Sequence, residues 1–204
     1  LTDIGSAYVV EYGSPAGMEL LAMHKGTREA TEEDMSQFAG VQEAKRPKFT
    51  YRLEVPISDL PYLLAISYDN PLWEELGEKC LACGACTLVC PTCYCFNVVD
   101  KLELNLKDGQ RLRLWDSCQL PEFATVAGGE NFREARADRQ RHRVFRKGKY
   151  LTEMFGKVGC VGCGRCVRAC LVHIDPVEVY NTLKNTRVSR GWAEREVTAY
   201  QQGS

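Results

Sequence analysis

Eleven cysteines stand in this chain, and their spacing is the first feature in it that could do chemistry. Cys80, Cys83, Cys86 and Cys90 are set C-x2-C-x2-C-x3-C, and Cys160, Cys163, Cys166 and Cys170 repeat that spacing. Gly84 and Gly164 fall at the same place in the two copies. Three cysteines spaced in this way wrap a short loop around one cubane, so three thiolates reach three irons. The fourth is expected to begin the next helix, point away and ligate the neighbouring cubane. The repeat therefore predicts two [4Fe–4S] clusters. Cys80, Cys83, Cys86 and Cys170 would hold the first, and Cys160, Cys163, Cys166 and Cys90 the second. The glycines allow positive φ and close approach of backbone N–H groups to sulfur, which tunes the potential. Zinc is the competing reading, but zinc sites usually take two C-x2-C pairs split by a longer loop. A disulfide-stapled domain would spread its cysteines to cross-link distant loops, and these do not spread.

Two details of the repeat are unequal. Pro91 follows Cys90, whereas Leu171 follows Cys170. The missing proline is expected to change local geometry or potential but not to abolish ligation, because His173-Ile174-Asp175-Pro176 turns the chain shortly afterwards. Cys93, Cys95 and Cys118 are left over. One reading makes them ligands of another metal or substitutes in a cluster, and the other makes them small buried hydrophobes beside the clusters.

The elements that must position these loops can be read from punctuation and periodicity. Residues 7–12 read as a strand closed by Gly13-Ser14-Pro15, with helices from about Met18 and from Thr31, and 49–55 as extended. Ser58-Asp59-Leu60-Pro61 opens a helix with Leu60, Leu63, Leu64 and Tyr68 at core spacing. Asn70-Pro71 opens another that runs to Lys79 and delivers the chain into the first cysteine loop. Residues 102–106 and 111–115 alternate about an Asp108-Gly109 turn, which predicts a β-hairpin. Residues 132–149 are strongly basic. Three readings stand for them: a face for nucleic acid or an acidic partner, a counter-charge around anionic clusters, or a solvated helix face. A helix is expected over 175–183, and residues 188–202 form a tail suited to docking on a partner. The fold class is thus α+β: a small α/β piece over 1–55, and a mostly helical dicluster ferredoxin-like domain over 56–204 with an insertion at about 96–150.

Composition bounds the function. The chain has 204 residues, 26 Lys plus Arg against 27 Asp plus Glu, and 45% hydrophobic residues. That excludes wholesale disorder and a generally basic nucleic-acid binder. No apolar run approaches the ~20 residues of a transmembrane helix, and no export signal opens the chain. Leu1 in place of Met suggests a fragment or a processed product.

The motif Cys80-x2-Cys83-Gly84-x-Cys86-Thr87-x2-Cys90-Pro91-Thr92-Cys93-Tyr94-Cys95-Phe96 resembles a known family, as do three later stretches: Trp115-Asp116-Ser117-Cys118, Asn131-Phe132-Arg133 and Gly159 to Cys166. The likeness, over about 55–180, is to the dicluster iron–sulfur subunits of multi-subunit oxidoreductases, namely those of sulfhydrogenase-type NiFe hydrogenases (their β-subunits) and of anaerobic sulfite reductase. It implies a helical dicluster ferredoxin domain, a cytoplasmic and anaerobic setting, and a hetero-oligomer. Two partners are implied: a flavin/NAD(P)H-binding subunit, and a catalytic redox subunit of hydrogenase, sulfite reductase, formate dehydrogenase or heterodisulfide-reductase type.

A cluster with four cysteine ligands has no open iron, so it moves single electrons without binding substrate. No Gly-x-Gly-x-x-Gly fingerprint is present, and His24, His142 and His173 are scattered. His173 is read as structural rather than as a hydrogen-bond donor that tunes a cluster. A non-catalytic electron-transfer subunit is therefore expected, with no catalytic residues. An iron–sulfur redox sensor or structural cluster protein is the alternative.

Overall fold

The computed structural model describes residues 1–49 and 51–188, and the chain divides into two units at Arg52/Leu53. The tail expected over 188–202 lies, Val188 apart, outside the described residues.

In the first unit, the expected strand shrinks to β2 (Tyr8–Val9), paired antiparallel with β1 (Thr2–Asp3). Helix α1 (Pro15–Ala22) starts earlier than Met18 because Ser14 caps it, accepting from the Gly17 N–H at 3.1 Å with proline at the first position. Helix α2 (Glu32–Lys45) begins where expected. Thr31 Oγ1 accepts from the Asp34 N–H at 3.2 Å, and Asp34 Oδ2 accepts from the Thr31 N–H at 2.8 Å, a reciprocal cap. Arg28 and Thr31 bonded to Asp34 hold its carboxyl well below the usual carboxylate range. Residues 49 and 51–55 form no strand.

The second unit is organised around helices that cross at small residues. Helices α3 (Leu60–Ile66) and α4 (Leu72–Lys79) precede the first cysteine loop. Helix α6 (Arg136–Phe145) lies against α4, and α9 (Pro176–Val188) follows the second loop. Leu60, Leu63, Leu64, Trp73, Leu76, Phe145, Val179 and Leu183 form one core, and Cys80 and Ile174 belong to it, so the cysteine loops rest directly on packed hydrocarbon. Of the expected core stripe only Tyr68 fails. It is 48% exposed, meets Phe145 edge-on and carries the Arg141 guanidinium 4.2 Å above its ring. Trp73 donates its indole N–H to the Ser67 carbonyl at 2.8 Å, which satisfies the one polar atom of a buried ring.

Gly77 permits the α4–α6 crossing. A Cβ there would lie 2.6 Å from the Ala137 backbone nitrogen, an atom that cannot swing aside. Gly77→Ala is expected to cost about 1–3 kcal/mol through overpacking. The check is the denaturation midpoint of the cluster-loaded protein, and an unchanged midpoint would refute the crossing as a stability determinant.

The hairpin forms with a different turn. Strands β3 (Phe96–Leu102) and β4 (Gly109–Trp115) pair from Phe96↔Trp115 to Leu102↔Gly109. The reversal therefore occupies 103–108, and Leu104 and Leu106 leave the strand. Asn105 causes this: its Oδ1 accepts from the N–H groups of Lys107 and Asp108 at 3.0 and 3.1 Å, while the Glu103 N–H donates to the Asp108 carbonyl. Side-chain turn chemistry overrides the alternation of residues 102–106.

Candidate metal centre

Each cysteine repeat folds into a loop followed by one short helical turn. Helices α5 (Ala85–Leu88) and α8 (Arg165–Arg168) are preceded by Gly84 and Gly164 at φ 75° and 69°. Ala82 and Gly162 also take positive φ, at 53° and 66°, so the two loops share a backbone path. The third cysteine of each copy, Cys86 or Cys166, lies inside the turn. The fourth, Cys90 or Cys170, lies just past its end rather than at the start of the next helix. This corrects the sequence expectation: the helix is too short to continue, and the reversal after it aims the fourth side chain away from its own loop.

Two cavities result. The first is lined by Cys80, Cys83, Cys86 and Cys170, with Gln140 and Arg143. The second is lined by Cys90, Cys160 and Cys166, with Cys93, Lys147 and again Cys86 and Arg143. Cys163 lies on the exposed side of its loop and is absent from that lining. Cys170 therefore sits with the first repeat and Cys90 with the second.

Thr87 Oγ1 donates to the Gly84 carbonyl at 2.8 Å and lies 2.6 Å from Ser117 Oγ, which anchors the first loop from behind. Thr92 Oγ1 donates to the Gly159 carbonyl at 2.7 Å and accepts from Lys147 Nζ at 2.6 Å, so the exit of the first repeat is stapled to the entrance of the second.

Donors converge on the sulfurs. Gln140 Nε2 donates to Cys80 Sγ at 2.9 Å, and the Ala82 N–H donates to the same sulfur at 3.3 Å. The Ile174 N–H donates to Cys170 Sγ at 3.4 Å. Burial pushes the Cys86 thiol up to about 11. Burial also acts on Cys90, but the Thr92 hydroxyl and N–H together with Lys147 outweigh it and bring that thiol down to about 7. Lys147 beside Arg143 makes the second cavity the more cationic.

The basic stretch resolves into named contacts. Arg136 donates to the Cys80 carbonyl at 2.8 Å, and Arg146 stacks on Tyr94 and bonds its hydroxyl. Arg139 and Arg143 are 4% and 5% exposed, so this is no solvated face. Gln140 was not among the residues singled out from the sequence. The signal existed: Arg136, Gln140, Arg143 and Lys147 recur at helical spacing and share the face turned to the cysteine loops. A π-helical turn (Arg146–Tyr150) places Lys147 over Thr92, and its Gly148 fits against Leu64 and Tyr180 where a Cβ would come within 2.9 Å.

The leftover cysteines gather at the base of the hairpin. Cys118 beside Cys95 holds the Cys95 thiol low, and Cys118 itself is buried with its thiol pushed up. Cys93 bonds Cys90. His173 is exposed at the place in the second repeat where Cys93 stands in the first, and its φ of 51° marks it as part of the turn.

The donor set fits a cubane better than a single ion. Among the described residues no group of three or more His, Cys, Asp or Glu side chains is arranged to hold one metal ion. Several thiols on each of two adjoining cavities are the donor set that iron–sulfur clusters take. Residues 79–174 match the family model described as a 4Fe-4S dicluster domain. The chain carries a 4Fe-4S dicluster domain. Two [4Fe–4S] clusters are its cofactors. The chain is also similar to sulfhydrogenase 2 subunit beta of Pyrococcus furiosus, with 35% identity over 185 residues. The alignment covers 90% of this chain and 54% of the relative, so the chain spans about half the length of the curated protein it matches. No solved structure matches the chain. No helix among the described residues is long and apolar enough to cross a membrane.

Proposed function

We propose that the chain is a non-catalytic electron-transfer subunit of a multi-subunit, hydrogenase-type oxidoreductase, carrying single electrons through its two clusters. Cys80, Cys83, Cys86 and Cys170 ligate the first cluster, and Cys160, Cys163, Cys166 and Cys90 the second. The observation that carries this reading is the pair of adjoining cavities that share Cys86 and Arg143. Clusters so close exchange electrons readily, and four thiolates on each leave no iron open to substrate. Similarity to a sulfhydrogenase subunit supports a hetero-oligomer. One end of the wire meets a flavin/NAD(P)H-binding subunit, the other a catalytic redox subunit, in an anaerobic cytoplasm.

Each cluster also has an exposed end. Cys83 and Cys163 are exposed beside Leu81 (55%) and Val161 (65%), apolar contacts suited to partner docking at two separate points. In the first unit Met18, Leu20 and Met23 are exposed, which supports reading 1–55 as the end of a larger N-terminal domain. The test is iron analysis and EPR of the dithionite-reduced protein. About eight irons per chain and two interacting S = 1/2 signals, reduced rapidly by a low-potential donor, are expected. About four irons, a large zinc content, or substrate turnover by the isolated chain would overturn it.

A further inference from the structure

Arg143 is a buried cation that makes no ion pair with a carboxylate among the described residues. Burying an unpaired charge is costly, so an anion must complete its surroundings. Its neighbours identify that anion. The guanidinium lines both cysteine cavities, the second of them together with Cys166. Its Nη1 donates to Gln140 Oε1 at 3.3 Å, and Gln140 in turn donates from Nε2 to Cys80 Sγ at 2.9 Å. One side chain thus faces the sulfurs of both cavities and reaches a sulfur of the first repeat through a single amide. Gln140 is itself fixed, since its Nε2 also donates to Gln119 Oε1 at 2.8 Å. Lys147 lies at the second cavity alone.

We propose that Arg143 is a positioning residue shared by both clusters, its fixed charge raising the reduction potential of each. The inference rests on the two-cluster reading above. Each cluster with its four thiolates passes from −2 to −3 on accepting one electron, and a permanent positive charge between them stabilises the reduced form of either. No proton accompanies the electron, because an arginine stays protonated throughout. Lys147 acts on the second cluster only.

The experiment is potentiometric EPR titration of the holoprotein, with iron content measured on the same samples. In Arg143→Gln both midpoints are expected to fall, each by tenfold or more in the reduction equilibrium constant, where tenfold is about 59 mV for one electron. Arg143→Lys keeps the charge and is expected to recover most of both shifts. Lys147→Gln is expected to lower only the cluster that Cys163→Ala removes. Full iron with unmoved midpoints in Arg143→Gln, or a fall in only one, overturns the proposal. If Arg143→Gln fails to assemble its clusters, recovery of both in Arg143→Lys supports a charge role, and failure to recover them refutes it. A wild-type protein with about four irons would instead sink the two-cluster reading itself.

Discussion

Cys170→Ala is expected to remove the same cluster that Cys83→Ala removes, although Cys170 belongs to the other repeat. Cys170 lines the first cavity with Cys80, Cys83 and Cys86, while Cys90 lines the second with Cys160 and Cys166. The short turns α5 and α8 end before their fourth cysteines, and the reversals that follow carry those side chains across to the neighbouring loop. Iron should fall from about eight to about four per chain in each single variant. Four variants then form two pairs by EPR: Cys170→Ala with Cys83→Ala, and Cys90→Ala with Cys163→Ala. Ligation within each repeat would pair them the other way, with Cys170→Ala resembling Cys163→Ala, and that outcome would sink the crossed assignment. Because the metal holds the loops, lost ligation should also lower thermal stability more than a Cys→Ala change at Cys118 does.

The second large effect is an inequality between two equivalent glycines. Gly84→Ala is expected to deplete the first cluster, while Gly164→Ala leaves the second largely in place. Both glycines have positive φ, so alanine at either costs about 1–2 kcal/mol of left-handed strain. Their surroundings differ. A Cβ on Gly84 would lie 2.9 Å from Ser117 Oγ and 3.0 Å from its Cβ, whereas one on Gly164 would meet nothing within 4 Å. Ser117 cannot yield: it is fully buried, lies 2.6 Å from Thr87 Oγ1 and accepts from the Gln119 N–H at 3.1 Å. The added overpacking is about 1–3 kcal/mol at Gly84 alone. Cluster occupancy by EPR and the denaturation midpoint check this together. Equal behaviour of the two variants would show that Ser117 does not set the fit.

The formal net charge of −1 takes on a different meaning once the clusters are counted. With two clusters in place the chain is near −5 by formal charge. Residues 132–149 supply the counter-charge, and they do so unevenly. Arg136 and Lys147 secure the loops through oxygen acceptors, Arg143 alone lies between the cavities, and Arg146 packs on Tyr94 at the hairpin base.

Local chemistry explains which parts of the fold and site were legible in the sequence. Cluster type and the positive-φ glycines follow from residue type and spacing over about a dozen positions, because one loop is expected to supply three of a cubane's four ligands. The helices ahead of the first loop were legible for the same reason, since Pro61 and Pro71 mark their starts and the leucines recur at helical spacing. The hairpin turn was misplaced because a side-chain acceptor on Asn105 competes locally with strand alternation. The extended segment expected over 49–55 forms no strand at residues 51–55, and the Glu54 N–H donates instead to Asn181 Oδ1 at 2.9 Å, a partner far along the sequence.

By itself, then, the sequence determined that the protein grips two iron–sulfur clusters and which eight cysteines could do so. The tertiary structure decided how the two cysteine loops are held against each other, and which of many basic residues lines their cavities. Those choices depend on how α6 seats against α4 at Gly77 and how far the π-helical turn rotates the residues beyond it. They are long-range packing outcomes. Arginines in a helical stretch look alike in one dimension, and Arg139 is as buried as Arg143, but Arg143 lines both cavities.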